Sequence, residues 1–211
     1  MNKKDNFFWI GYSDLMTSLF FIMMVLFVVT IGYLRHEQEG LRIENEQLKK
    51  IVKIEKQFAP LEKDPSFIYL KTCKKFIVKD LMGVEIFNPL GIEIKPQFIN
   101  TTIVAGKKIE AFLKKLQTKN PELSYLLVIE GNMANKWDNS LKKDDNWGYR
   151  TSYQRALAVY NLWLRNHIDF RKFNVEVMIC GSGFNGLCRD SKEDNNKRFS
   201  IQIIPKIENK K

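Results

Sequence analysis

The chain contains 211 residues, of which 45% are hydrophobic and 27% are charged, and its formal net charge is +10. This length suffices for one compact domain plus a membrane segment and a linker. Residues 1–34 hold two lysines and two aspartates, a net charge of zero, so the whole positive excess lies in residues 35–211. Such a basic surface attracts polyanions: anionic lipid, acidic cell-wall polymer or nucleic acid.

The sequence lacks the patterns that enzymes and metalloproteins need. It has no GxxxxGK[ST] phosphate loop and no nucleophile with a recognisable base partner, so we expect no catalytic activity. The three cysteines and two histidines show no metal-ligand spacing, and we expect no metal and no cofactor. We also expect no direct binding of nucleic acid, because aromatic residues are not interleaved with lysine.

The cysteines allow two interpretations. Cys180 and Cys188 are close enough in sequence to form a disulfide across a loop in an oxidising compartment, which would leave Cys73 free. Three buried thiols are the alternative.

The first predicted element is a membrane-spanning helix. Residues 15–34 carry no formal charge, and 20 residues at about 1.5 Å each give roughly 30 Å, the thickness of a hydrocarbon core. The segment is longer than a signal-peptide core and runs into charged residues without a small-residue cleavage site. We therefore predict a short tail and a single span in residues 1–34.

One carboxylate, Asp14, lies about two turns inside this apolar segment when residues 7–11 are counted with it. An ionisable group at that depth is costly unless it faces a partner or a water-filled path. We predict that Asp14 faces such a partner or path and can load and release a proton there, and that the hydroxyls of Ser13 and Thr17 support it. A structural carboxylate in the headgroup region is the alternative.

A helical stalk is predicted in residues 35–80. Residues 35–58 are rich in helix formers and contain no proline. Leu41, Asn45, Leu48 and Val52 follow the a/d spacing of a two-stranded coiled coil, in which a buried asparagine favours a parallel dimer. A solvated helical spacer is the other interpretation, since the pattern covers barely two heptads.

Residues 81–211 predict an α+β domain with helices packed on one face of a mixed sheet. The apolar residues alternate with period two in some segments and follow a helical period in others. The predicted elements are a short helix in 67–78, a hairpin from Val84 to Ile94, a helix in 103–119 capped by Thr102, a strand in 125–130, a polar loop in 132–148, a helix in 151–165, a strand in 173–180, a turn in 181–183, a polar connection in 186–197 and a strand in 198–205.

Two separated motifs carry a family resemblance. The stretch from Trp9 to Thr17 resembles the W-x-x-Y-[AS]-D-[LF]-M-T signature of the B subunits of ion-driven stators, the MotB-type proteins. The remainder resembles the OmpA-like peptidoglycan-binding domain: Ser152 and Arg155 stand where the family has L-S-x-x-R-A, and Asn196 and Arg198 stand where it has N-R-R-V-E-I. Within that family, the short tail and modest length look most like the B subunit of Zorya anti-phage defence systems.

The resemblance implies a function and a set of partners. It implies a homodimer inside five copies of a MotA-like subunit, driven by the proton-motive force in a bacterial inner membrane, with the amino terminus cytoplasmic and the outer domain periplasmic. It further implies a role in phage defence, with cytoplasmic effectors engaged indirectly, and peptidoglycan binding through Ser152, Arg155, Asn196 and Arg198. A flagellar stator subunit and a passive membrane-to-wall anchor are the alternatives.

One position departs from the family pattern. The family's G-x-T-D motif supplies an aspartate that binds an ammonium group of peptidoglycan beside the arginine of R-A, whereas this sequence has Ala134 there. Asp138, Asp144 and Asp145 in the following loop are candidates to replace it.

Overall fold

The structure is a computed structural model, and it describes residues 3–88, 91–121, 123–136 and 144–206. In the first helix, the side chains of residues 3–11 and of several residues between 47 and 55 lie outside the described part. The chain divides into two compact units, one ending at Val52 and the other beginning at Lys53.

The first unit is formed by α1, Lys3–Glu55. Among the described residues, one helical segment, Tyr12–Glu46, is long and apolar enough to span a membrane. Its apolar side chains from Tyr12 to Leu34 are exposed in the isolated chain. A continuous apolar surface of this length needs lipid or another protein to cover it.

The stalk is helical, as predicted, up to Glu55. Leu41 and Val52 are exposed, and the side-chain amide of Asn45 donates to the carbonyl of Leu41 at 3.1 Å. The side chain of Leu48 lies outside the described residues. The coiled-coil dimer therefore stays a prediction.

The second unit is built on a five-stranded sheet with the order β1-β2-β5-β3-β4. β3 and β4 are parallel, whereas β1–β2, β2–β5 and β3–β5 are antiparallel. The strands are β1 Phe67–Leu70, β2 Lys75–Val78, β3 Ser124–Gly131, β4 Val175–Gly181 and β5 Phe199–Lys206. β5 is the central strand and pairs with β2 on one side and β3 on the other, while β3 pairs along its full length with β5 and joins the edge strand β4 through a helical crossover.

Helices cover one face of this sheet, which confirms the predicted α+β class. They are α2 Ala59–Glu62, α3 Pro96–Lys119 and α4 Asn146–Arg165, with short 3-10 helices at Lys56–Phe58, Lys79–Leu81, Phe170–Phe173 and Glu193–Asn196. The core contains alternate strand residues such as Tyr125, Leu127 and Ile201, packed with Leu113 of α3 and Trp163 of α4. Each of these five side chains is completely buried.

The predicted helix in 67–78 is wrong. These residues form β1 and β2, joined by a turn in which Lys74 has a φ of 54°. All four residues of β2 are buried, and a strand buried on both faces reads as a continuous apolar run without alternation. β2 pairs with β5, so the two strands belong to the sheet and not to the predicted stalk.

The two helices of the domain begin earlier than predicted. α3 starts at Pro96, where proline is compatible with the first helical turn, and Thr102 is buried inside the helix with its hydroxyl donating to the carbonyl of Phe98. α4 starts at Asn146 because the Asp145 carboxylate accepts from the amide of Gly148 at 2.9 Å and so caps the helix.

The predicted hairpin near residue 90 is reduced to one antiparallel bridge between Phe87 and Ile94. The amide of Asn88 donates to Glu93 at 3.2 Å, and the amide of Lys95 donates to Ile86 at 2.9 Å. The tip, residues 89–90, lies outside the described part.

The disulfide joins Cys73 to Cys188, and Cys180 is free. The predicted bridge between Cys180 and Cys188 is wrong, because Cys180 is held in β4 beside Glu130 of β3. The turn after β1 instead brings the Cys73 Cα to 6.2 Å from that of Cys188. Burial, with the nearby Glu130 carboxylate, raises the pKa of the Cys180 thiol to about 11, so this thiol stays protonated and unreactive at neutral pH.

A close approach between α4 and the ends of the parallel strands fixes the helix. A Cβ atom on Gly131 would lie 1.9 Å from the Ser152 carbonyl oxygen, and one on Gly181 would lie 2.3 Å from the amide of Tyr153. The Ser152 hydroxyl donates to the Tyr149 carbonyl and accepts from the Gly183 amide, both at 2.9 Å. α4 can rest on the strand ends because both strands finish in glycine.

We expect one free thiol in the denatured chain before reduction and three after, measured by thiol titration on protein isolated from an oxidising compartment. Cys73→Ser and Cys188→Ser should each lower the free energy of unfolding by about 2–4 kcal/mol, since the bridge restrains the unfolded chain. Cys180→Ser is the control, because it leaves the bridge intact. Three thiols before reduction would contradict the assigned pairing.

Ser152→Ala should destabilise the second unit, called the outer domain from here on, by about 1–3 kcal/mol. The substitution leaves the buried Gly183 amide without an acceptor. Urea unfolding followed by tryptophan fluorescence measures the change. Thr118→Ala is the matched control: Thr118 is exposed and its hydroxyl bonds only its own helix at Lys114, so its effect should stay within about 0.5 kcal/mol. Equal stability of the two variants would mean that the Ser152 bridge is not required.

Candidate functional site

The first candidate site is Asp14 on α1. The residue is exposed in the isolated chain, and no basic side chain of the described residues forms an ion pair with it. Thr17 and Ser18 lie on the same helix face, one turn further along. Small and hydroxyl-bearing residues at such positions allow another membrane helix to approach closely. The carboxylate therefore lies on a helix face suited to a helix partner.

The predicted supporting role of Thr17 is limited by a local bond. Its hydroxyl donates to the carbonyl of Ser13 at 2.7 Å, the usual arrangement of a threonine within a helix. This bond uses the hydroxyl proton and leaves oxygen lone pairs facing outward. The Thr17 hydroxyl can therefore accept a hydrogen bond from a neighbouring group while it keeps its own bond to Ser13.

The second candidate site is a cavity of about 240 Å³ in the outer domain. Its walls come from residues 85–88, from residues 133–134 after β3, and from Trp147, Arg155 and Lys197. Ser152 lies one turn before Arg155 on α4, so the contact of Ser152 with the strand ends positions Arg155 at the wall.

Arg155 is the predicted peptidoglycan residue that reaches this cavity. Its Nε donates to the carbonyl of Gly91 at 3.0 Å and its Nη1 to the Met133 sulfur at 3.1 Å, while the guanidinium lies 5.0 Å from the centre of the Phe87 ring. No carboxylate of the described residues forms an ion pair with it. Burial lowers the pKa of Arg155, partly offset by Glu85, and the group remains charged at neutral pH. It is a half-buried cation that can bind an anion.

Glu85 brings a carboxylate to the same cavity. Lys197 lies 3.2 Å from its Oε1 and Lys95 lies 3.4 Å from its Oε2. Hydrogen bonding and attraction from Lys197, and then from Lys95, hold the pKa of Glu85 below its ordinary value. Glu85 is therefore ionised over the neutral range.

The structure places the other three predicted peptidoglycan residues in the interior of the domain. Ser152 is completely buried by the bonds described above. The Asn196 side chain exchanges two hydrogen bonds with the backbone of Asp190, at 2.9 and 3.0 Å. Arg198 donates to the carbonyl of Cys188 at 2.8 Å, and burial lowers its pKa. These side chains shape the loops, and their placement does not support direct contact with a ligand.

Ala134, which stands at the position of the family's aspartate, also lines the cavity. The proposed replacements do not reach Arg155: Asp145 caps α4, and Asp144 accepts from the hydroxyl of Tyr149 at 2.8 Å. Asp138 lies outside the described residues.

Sequence reasoning missed the role of Glu85, Trp147 and Lys197 at this cavity. Glu85 sits in a segment whose alternation pointed only to a strand, and no spacing linked it to Arg155, 70 positions later. Lys197 is the residue between Asn196 and Arg198, and it is the member of this motif that lines the cavity.

No family model matches the chain. The chain is 23% identical over 220 residues to the Zorya protein ZorB of Escherichia coli, which covers 97% of this chain and 91% of that protein. Among solved structures, the periplasmic domain of Helicobacter pylori MotB matches with a TM-score of 0.41 and 12% identity, over 64% of this chain and 74% of that one. The peptidoglycan-associated lipoprotein of Burkholderia pseudomallei matches with a TM-score of 0.32 and 12% identity, over 57% and 87%.

The alignment with ZorB spans both the membrane segment and the outer domain, since it includes nearly the whole chain. The resemblance predicted from the two motifs is thereby confirmed: the chain is similar to the B subunits of the MotB type, with an OmpA-like outer domain, and to the Zorya B subunit among them.

Proposed function

We propose that this chain is the B subunit of a proton-driven motor in a bacterial inner membrane, fixed to the cell wall by its outer domain. The observation that carries the proposal is the position of Asp14: a lone carboxylate on a helix face within an apolar segment that is long enough to span a membrane. A carboxyl group there can take up and release a proton as the surrounding helices move. Asp14 would thus couple proton passage to movement of a partner.

The partner would be a separate membrane subunit of the MotA or ZorA kind, in five copies around a homodimer of this chain. Exposed apolar residues from Tyr12 to Leu34 provide the surface that lipid and such a subunit would share. The similarity to ZorB supports a role in anti-phage defence. No catalytic role is proposed for the chain.

The outer domain would lie on the periplasmic side with the amino terminus in the cytoplasm. The Cys73–Cys188 disulfide supports this orientation, because such bonds form and persist in oxidising compartments. Peptidoglycan would bind at the Arg155 cavity, where a half-buried cation that pairs with no carboxylate of the described residues is available for a wall carboxylate. Fixing the outer domain would allow the membrane part to act against it.

Asp14→Asn should abolish proton-driven activity, because asparagine keeps the shape of the side chain but cannot carry a proton. The measurement is proton flux into vesicles containing the chain and its membrane partner, together with phage protection in cells. The amount of the variant chain inserted in the membrane should equal that of the unsubstituted chain. A loss of flux then reflects a loss of transport and not a loss of protein. Undiminished activity would contradict the motor and leave a passive anchor.

Thr17→Val tests how much the threonine hydroxyl contributes to proton flux. We expect flux to fall by less than about tenfold, since the hydroxyl contributes at most one hydrogen bond to the carboxyl group. A complete loss with Thr17→Val would place this residue in the proton path itself.

Arg155→Ala should weaken binding of the full-length chain to purified peptidoglycan sacculi by roughly 10- to 100-fold, the effect of removing a charged hydrogen-bond donor. Co-sedimentation in mild detergent measures the change. Arg150→Ala is the matched control, since Arg150 is exposed on the same helix and changes the net charge equally. Equal losses for both variants would indicate only nonspecific attraction to the basic surface.

A further inference from the structure

The two edges of the sheet differ in how they are protected. β1, at one edge, has four residues and is followed by Lys71 and Lys74, and short strands and lysines hinder pairing with another chain. β4, at the other edge, has seven residues, contains no proline and carries a single charged side chain, Glu176. β4 is therefore the edge that can accept a further strand.

The backbone of β4 offers hydrogen-bonding groups on its outer side. The Asn174 carbonyl, just before the strand, accepts from β3, and the Ser182 amide, just after it, donates to β3, each at 3.0 Å. In a parallel pair every second residue bonds the neighbouring strand, so the even-numbered residues face β3 and the odd-numbered ones face outward. No hydrogen bond among the described residues uses the outward backbone groups of Val177 and Ile179. A further strand would satisfy them.

An exposed apolar side of α4 lies over the same edge. Tyr153, Leu157 and Leu164 share one helix face because they are spaced by whole turns, and Tyr153 and Leu164 are 43% and 40% exposed. The Tyr153 amide rests on the end of β4, where it would lie 2.3 Å from a Cβ on Gly181. Arg155 projects from the other side of the helix toward its cavity. The apolar side of α4 thus points away from the cavity and past β4.

Met178 supplies apolar surface on the opposite face of the sheet. It is the middle residue of β4, and its side chain is 47% exposed. Val128, its neighbour in β3, is half-buried on the same face. Exposed apolar surface therefore borders the free edge on both faces of the sheet, as is typical of a surface that another protein covers.

The free edge is self-complementary. An antiparallel pair of β4 strands about a two-fold axis through Met178 joins all seven residues, and the odd-numbered residues 177 and 179 then exchange the outward hydrogen bonds. The same axis suits α4. The midpoint between Tyr153 and Leu164 lies about 8 Å from Tyr153 along the helix, and Met178 lies about 10 Å from Gly181 along the strand. Each Tyr153 would therefore meet Leu164 of the other copy.

We propose that the outer domain binds a second copy of this chain through β4 and the apolar side of α4, with Met178 at the two-fold axis. The proposal rests on the homodimer proposed above and deepens it by assigning an interface in the outer domain. The two five-stranded sheets would join into one of ten strands. Both Arg155 cavities would stay open, because each lies on the side of α4 away from the axis. A dimer joined through the stalk alone, without contact between the outer domains, is the competing arrangement.

Disulfide cross-linking of the full-length chain in mild detergent tests this pairing. In a Cys180→Ser background, Met178→Cys would place two thiols opposite each other with Cα atoms about 4.5 Å apart, within the roughly 4.4–6.8 Å that a disulfide needs. Glu176→Cys in the same background is the matched control. Glu176 is exposed on the same face of β4, but its two copies would lie about four residues, or roughly 13 Å, apart.

A second set of variants tests the contribution of α4 in the Met178→Cys chain. Tyr153→Lys combined with Leu164→Lys would bring like charges together and should slow cross-linking by at least about tenfold. Gln154→Lys combined with Asn161→Lys adds the same charge to the face of α4 that points away from the sheet. This control should cross-link at the rate of the chain without lysine substitutions.

We expect Met178→Cys to form disulfide-linked dimers at least about tenfold faster than Glu176→Cys, and light scattering of the reduced chain to give the mass of a dimer. Equal rates at the two positions would overturn the proposed interface. A dimer by light scattering that cross-links at neither position would leave the homodimer standing and assign it to the stalk. A monomer by light scattering would contradict both the interface and the homodimer.

Discussion

The outer domain depends on the contact between α4 and the ends of β3 and β4. Ser152 can lie against both strand ends because each ends in glycine, and a Cβ on Gly131 would approach the Ser152 carbonyl to 1.9 Å. With the helix this close, the Ser152 hydroxyl bridges the Tyr149 carbonyl to the Gly183 amide. A backbone contact that tolerates no added atom fixes both the height and the rotation of α4 over the sheet.

This contact determines where the charges of the cavity lie. Arg155 follows Ser152 by one helical turn and so points from a fixed place toward the segment after β3. That segment is held separately: the Met133 amide donates to Gly183 and its carbonyl accepts from Arg189, both at 2.9 Å. Arg189 belongs to the loop that the Cys73–Cys188 disulfide joins to the turn after β1. The cavity is therefore bounded by a rigid helix on one side and a cross-linked loop on the other.

The sequence predicted the helices and strands in which the apolar residues follow a clear pattern. It missed a strand that is buried on both faces and a disulfide between cysteines that are far apart in the chain. α4 and β3 to β5 were found within a few residues because each shows a helical period or an apolar run bounded by polar residues or glycine. β2 was missed because all four of its residues are buried, and the disulfide because its cysteines are 115 positions apart. Motif matching found the right loops at Asn196 and Arg198, but it could not separate a residue that shapes a loop from one that faces the cavity. Only burial and hydrogen bonding make that distinction, and they place Lys197 between them at the wall.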